Sequence, residues 1–307
     1  ATISTAQAVI ADTTTPQKRK LGMALIGAAF GIGFTFGPLI GAGALYLFDG
    51  WYGLIGYIAA FLSLIAFALG CLLLPETRRF GEVSAAKRSW FDTHAMRTAL
   101  ADPAVAPIVL TFFLATLGFA NLEVTQSLLN NDALGFKEKN NFLVFAYIGF
   151  VLLVTQGGLY RRLAGRLSEL SFMTLGLSLM GIGLLSLAGL SWVATTQSVG
   201  NSPLIAWLFA SCTAATVGFA FFTPSAQSLI SRRSDPQRQG EVLGVNQSAA
   251  AMARILGPIF GISLYKLTPT HVLPYVLGAA LLLGMLPLIP MIRRGGTEDA
   301  VSIPQLH

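Results

Sequence analysis

The chain has 307 residues, 54% of them hydrophobic and 11% charged, with a mean hydropathy of +0.67. A water-soluble chain carries about 25% charge, so this composition argues against a soluble enzyme, a nucleic-acid binder and a disordered protein. The 32 Gly and 21 Phe suit membrane helices, and the net charge of +6 raises the question of where its positive residues lie.

Residues 1–11 are apolar but too short to span a bilayer, and they read as the second half of a helix. Charge-free runs of span length follow at 21–48, 50–75, 103–122 and 140–160. The run 170–231 is long enough for two helices, divided by the polar stretch 194–203. Residues 242–265, apolar apart from Arg254, and 267–292 complete eight full spans. An all-α integral membrane protein is expected.

With alternate connections separated, 16 of the 20 basic residues share one side, among them Arg19, Arg162, Arg166, Arg232 and Arg293. Lys137, Lys139 and Lys266 fall on the other, and Arg254 lies within a span. By the positive-inside rule the basic side is cytoplasmic, as are the C-terminus and the long loop after the second span. The surplus charge therefore reads as topology, with no nucleic-acid partner, and the expected partner is the lipid bilayer. A multi-pass monomer of the plasma membrane, the inner membrane in a bacterium, is expected.

Cys71 and Cys212 both fall in predicted spans, and His94, His271 and His307 in loops or the tail. No metal-ligand spacing and no nucleotide-binding glycine loop is present. No enzyme activity, metal or cofactor is expected.

A shift of 220 residues superimposes the chain on itself. Ala6, Gln7, Ile10, Pro16, Gln17, Ala29, Gly37, Pro38 and Gly41 meet identical residues, nine identities in 36 gapless columns. Such a parallel repeat is the mark of a transporter with two similar halves. The offset places the matching start of a first half about 115 residues ahead of Ala1. The expectation is a 6+6 protein entered inside its fourth helix.

Residues 3–12, 16–22 and 28–41 resemble the fourth and fifth helices of the major facilitator superfamily, most of all its drug:proton antiporter branch, which includes tetracycline efflux proteins. The fifth-helix signature of that branch, Gly-x-x-x-Gly-Pro-x-x-Gly-Gly, is Gly33-x-x-x-Gly37-Pro38-x-x-Gly41-Ala42 here, with Ala in the last place. The resemblance implies a major facilitator fold. Residues 1–74 would be the rest of the N-terminal half, with the end of helix 4 and helices 5 and 6. Residues 75–103 would be the central cytoplasmic loop, 104–294 the C-terminal six-helix half and 295–307 a cytoplasmic tail.

The loop that would follow the eighth family helix departs from its pattern. It reads Gly157-Gly-Leu-Tyr-Arg161-Arg162-Leu-Ala-Gly-Arg166, with Arg161 at the acidic position. Gly157, Arg162 and Arg166 are candidates for a cytoplasmic gate. Asp12 with Arg19, and Asp235 beside Arg232 and Arg233, are further gate candidates as charged pairs in cytoplasmic turns.

Glu123 is an acidic residue deep in an apolar segment, where a carboxylate is costly and usually functional. It is a candidate for proton coupling or substrate binding, with Asn121 and Gln126 near it in sequence; a wet position at the outer helix end is the rival. Arg254 falls near mid-membrane and should face the cavity or an acidic partner such as Glu123. The resemblance places Gln7 and Gln227 in helices that line the central cavity, with Asn246 and Gln247 as weaker candidates. Phe112, Phe113, Phe221 and Phe222 are considered for an aromatic binding surface.

Gly33, Gly37 and Gly41 recur every four residues, a spacing that lets helices approach closely, and Pro38 bends that helix. Gly257, Pro258 and Gly261 are the repeat's copies. The expected activity is proton-coupled efflux of a small amphipathic compound by alternating access, with a small molecule and protons as partners. A proton-coupled metabolite symporter and a non-transporting membrane sensor or assembly protein are the alternatives.

Overall fold

A computed structural model describes residues 2–15, 18–48, 52–73, 97, 100–235 and 238–294. Most of the central loop, the tail 295–307, and Pro16, Gln17, Pro236 and Gln237 of the repeat lie outside the described residues.

Every regular element among the described residues is helical. The chain runs α1 (Thr2–Thr13), α2 (Arg19–Leu47), α3 (Tyr52–Leu73), α4 (Ala106–Leu134) and α5 (Glu138–Val154). A π-turn at Thr155–Leu159 joins α5 to the short α6 (Tyr160–Leu163). Then come α7 (Glu169–Thr196), α8 (Asn201–Arg233), α9 (Gln239–Tyr265), α10 (Leu273–Gly284) and α11 (Leu288–Arg294). Eight helical stretches are long and apolar enough to cross a membrane, in agreement with the eight spans read from the sequence.

Two boundaries differ from the charge pattern. The third run stops being charge-free at residue 122, yet α4 continues to Leu134. Backbone hydrogen bonding carries the helix past Glu123. It ends where Gly135 adopts φ 64 and its N–H reaches the carbonyls of Asn130 and Asn131. Glu123 is thus the 18th of 29 residues, well inside the helix. The last span is broken at 285–287. Pro287 has no N–H to donate, and the turn tightens through Met285 N–H to Leu282 O and Leu286 N–H to Leu283 O.

The repeat has structural counterparts. The ends of α1 at Thr13 and α8 at Arg233 are 220 residues apart, as are the starts of α2 at Arg19 and α9 at Gln239. Pro38 and Pro258 both lie inside their helices.

Small residues set the close crossings. In the antiparallel α7–α8 pair, a Cβ on Gly218 would lie 2.6 Å from the Met180 nitrogen, and one on Gly183 2.7 Å from the Ala215 nitrogen. In the α4–α9 pair, Gly257 brings its backbone against Ala120 and Leu117, and Gly261 against Asn121 and Thr125. The third crossing is antiparallel, between α2 and α5. Gly31 faces the backbone of Leu153, and Gly149 faces that of Phe34 and Thr35.

The α2–α5 seam uses other glycines than the predicted Gly33, Gly37 and Gly41. Gly27 and Gly31 form its contact stripe, whereas Gly33 and Gly37 lie about 140° and about 100° round the helix from it, off the contact face, by the 100° turn of each residue. Nothing among the described residues lies within 4 Å of a Cβ placed on Gly33 or Gly37, and Gly41 meets only the tip of Ile55. Among the described residues helix α3 packs chiefly on α2, and it exposes large side chains such as Phe61 and Leu72, as a lipid-facing helix does.

Candidate functional site

Helix periodicity gathers one wall of a cavity from each of several helices. On α4, Phe112, Thr116, Phe119 and Glu123 repeat at three- and four-residue steps and so share a face. On α2, Met23, Gly27, Phe30 and Phe34 do the same. Ile148 and Leu152 of α5 lead to Gln156 in the π-turn. Phe219, Thr223 and Gln227 of α8 and Gln247 and Arg254 of α9 close the space. It measures about 250 Å³ and lies between residues 2–73 and the helices from α4 onward.

The walls are mostly aromatic and aliphatic. Phe119 and Phe219 stack at 4.0 Å with planes 6° apart. Of the four phenylalanines considered from sequence, Phe112 lines the cavity. Phe222 stands behind it, ring centroids 6.0 Å apart, and Phe221 packs with Tyr160 and Phe172. Phe30, Phe34, Phe119 and Phe219 supply the rest of the aromatic surface.

Glu123 and Arg254 are the charged residues in this lining. Among the described residues they form no hydrogen bond or ion pair with each other, although each lies within the other's field. The Arg254 guanidinium stands over the Phe30 ring, 6.0 Å from its centroid. Two opposite charges in a largely apolar space attract more strongly than in water. Among the described residues neither side chain holds a hydrogen bond or an ion pair.

Three amides share the cavity: Gln156, Gln227 and Gln247. Gln7 is fully buried behind Gln247, whose Nε2 donates to the Gln7 Oε1 at 3.2 Å. Asn121, Gln126 and Asn246 do not line the cavity. Asn121 is two residues from Glu123, nearly half a turn round α4, and donates to the Pro274 carbonyl at 3.0 Å. Gln126 and Asn246 are fully buried, and neither side chain has a hydrogen-bond partner among the described residues.

Gln156 went unsuggested by the sequence reading. Its signal was the polar pair Thr155-Gln156 before Gly157-Gly158 in an otherwise charge-free run. A π-turn inside a helix is rare and often marks a functional position. Gly157 within this turn faces α2, with its Cβ position 3.8 Å from the Ala28 Cβ.

At the end carrying the basic turns, Arg19 is 7% exposed and reaches two helix C-termini. Its Nη2 donates to the Ala11 carbonyl of α1 at 2.8 Å, and its Nη1 to the Ser231 carbonyl of α8 at 3.5 Å. Those carbonyls lack intrahelical partners, and the negative helix end favours a cation. Lys20 Nζ donates to the Leu167 carbonyl at 3.1 Å in the turn before α7. Arg232 of α8 pairs with Glu169 of α7 at 2.9 Å. Asp12, Arg162 and Arg166 are exposed, and Asp235 sits in the α8–α9 turn, its carbonyl accepting from Arg238. Arg233 Nη1 donates to the Ala104 carbonyl ahead of α4 at 3.2 Å, so the contacts between distant segments at this face run through Arg19, Lys20, Arg232 and Arg233.

The sequence model of the Major Facilitator Superfamily matches residues 1–205 and again 162–304. Major facilitator superfamily domain-containing protein 10 of Mus musculus is 27% identical over 305 residues, 93% of this chain and 63% of that protein. Tetracycline resistance protein, class C, of Escherichia coli is 26% identical over 314 residues, 98% of this chain and 72% of that protein. The chain therefore spans about three-fifths of the first relatives it matches. A crystal structure of the human organic anion transporter MFSD10 (TETRAN) superimposes with TM-score 0.74 at 24% identity, over 94% of this chain and 67% of that one. A bacterial homologue of the iron transporter ferroportin, in an outward-facing state, gives 0.63 at 18% identity, over 92% of this chain and 66% of that one. These two likenesses bear on the fold.

Proposed function

The chain belongs to the Major Facilitator Superfamily, and from that premise we propose that it forms the larger part of a proton-coupled secondary transporter for an amphipathic organic anion. The observation that carries this is the pair Glu123 and Arg254, facing one aromatic cavity without contact. Arg254 supplies a cation for the substrate's anionic group, and the phenylalanine walls take its apolar body. Glu123 carries the proton. The human protein of the same name as the mouse relative, 28% identical to this chain, is described as an organic anion transporter, which favours that class of substrate.

The sign of coupling follows from charge. An ionised Glu123 and a bound anion compete for the same guanidinium, so each weakens the other. Protonating Glu123 removes the competitor, and proton and anion bind together; reciprocity makes the anion favour the proton equally. Such a pair moves in one direction. A neutral or cationic substrate that needs the ionised carboxylate is instead displaced by the proton and exchanged for it. The match to a tetracycline resistance protein, together with the Gly33–Gly41 signature on α2, favours this second reading, antiport and efflux.

Alternating access needs a closing contact at each end. Arg19, joining the C-termini of α1 and α8, is the proposed cytoplasmic latch, with the basic turns inside and the halves meeting at the cavity. The full-length protein in proteoliposomes, with an imposed pH gradient and a pH-sensitive dye in the lumen, tests the coupling. Organic anion flux accompanied by protons in the same direction is expected, and Glu123→Gln should uncouple the two while anion binding persists. Proton flux opposite to the substrate supports the exchange reading. Substrate flux indifferent to the gradient in the wild type overturns both.

A further inference from the structure

The two interfaces across the cavity are related by the repeat but are chemically unequal. On α9, Gln247 reaches back to Gln7 of α1. Its counterpart in the repeat, 220 residues earlier, is Gly27 of α2, which has no side chain to offer. The vacancy is filled from a third helix. The amide of Gln156, held in the π-turn, occupies the space where a Cβ on Gly27 would stand.

Gln156 is 1% exposed. Its Nε2 donates to the Ala220 carbonyl at 3.3 Å, which fixes the amide's orientation. Its Oε1, against Gly27, has no hydrogen-bond partner among the described residues. A buried acceptor left unsatisfied is costly and calls for an explanation. Here the acceptor sits on the α2–α5 seam and on the cavity wall together. A parting of the α2–α5 seam would withdraw Gly27 and uncover the oxygen into the cavity.

We infer that Gln156 is a substrate-contacting, specificity-determining residue whose Oε1 accepts a hydrogen bond from an N–H or O–H group on the substrate. This rests on the anion reading above and adds a second recognition point to it. The distance between the points follows from α9. Gln247 marks the amide level, and the Arg254 backbone stands seven residues, or about 10 Å, further along the helix axis, with its guanidinium reaching back over Phe30. The expected substrate class is a flat organic anion with a hydrogen-bond donor up to about 10 Å from its charge.

Two probes of that length separate the donor from everything else. 4′-Hydroxybiphenyl-4-carboxylate has a phenolic donor opposite its carboxylate; 4′-methoxybiphenyl-4-carboxylate keeps the shape and charge without the donor. Binding of each to the full-length protein is measured by isothermal titration calorimetry. The wild type should prefer the phenol about tenfold, and Gln156→Met, which keeps the length but not the acceptor, should bind the two alike. Gln156→Asn, with an acceptor drawn back by one methylene, should show an intermediate preference and serves if the Met variant does not fold. Equal binding by the wild type, or a preference retained in either variant at full strength, overturns the inference and leaves the anion reading standing. Failure of the wild type to bind either probe overturns the anion reading, and the inference with it.

Discussion

The α2–α5 seam makes Gly31→Ala a quantitative test. The added Cβ would lie 2.6 Å from the Leu153 nitrogen and 2.7 Å from its Cα, where ordinary contact begins at 3.4 Å. Both atoms are backbone, so the helices themselves must separate, by about 0.8 Å at this point. Overpacking of that kind costs about 1–3 kcal/mol, and the better helix propensity of Ala offsets about 1 kcal/mol. A net loss of about 1 kcal/mol is expected, or about 2–4 °C in the melting temperature. Gly149→Ala meets Phe34 and Thr35 across the same seam and should lose a similar amount. One separation relieves both clashes, so the double variant should lose clearly less than the sum of the two. Thermal unfolding of the detergent-solubilised full-length protein, followed by tryptophan fluorescence, reads all three. Two losses that add in full, or no loss at either site, would refute a shared seam.

Arg19→Met removes both donors to the Ala11 and Ser231 carbonyls. With Cys71 and Cys212 replaced and a cysteine placed at Thr223 in the cavity, a maleimide added from the cytoplasmic side should label it about tenfold faster in the Met variant; an unchanged rate would rule out the latch. Ser168 caps α7, its Oγ accepting from the Ser171 N–H at 3.1 Å. Ser168→Ala should destabilise by about 1 kcal/mol, seen in the same melting assay, and no shift would show that the cap contributes nothing.

The spans were legible because lipid excludes charge, so the charge-free runs mark them almost unaided. Legibility fell where charge and helix part company. Glu123 ended a charge-free run but not a helix; the sequence already put it deep in an apolar segment, and the structure adds that its side chain is on the cavity face. The α2–α5 seam falls on a second set of small residues, which the sequence offers equally. Gly33, Gly37 and Gly41 and the pair Gly27 and Gly31 share a four-residue period, and periodicity alone does not say which face meets α5. Gln227 was singled out through the family resemblance and Arg254 because charge is scarce in spans, and both side chains line the cavity. Phe30, Phe34, Phe119 and Phe219 were not singled out, since phenylalanine suits lipid and cavity equally and its side is decided by neighbours distant in sequence.

The π-turn at Thr155–Leu159 has a further consequence, for register. Such a turn is one residue inserted into an α-helix, and each residue accounts for about 100° of rotation. Removing any one of these five would restore an ordinary helix and swing everything beyond it by more than a quarter turn relative to α5. Tyr160, fully buried with its hydroxyl 2.8 Å from the Ser225 Oγ, would leave that partner, and Arg161 and Arg162 would turn with it. Related chains one residue shorter in this stretch should therefore differ at both ends of the turn together, lacking the tyrosine below as well as the amide above.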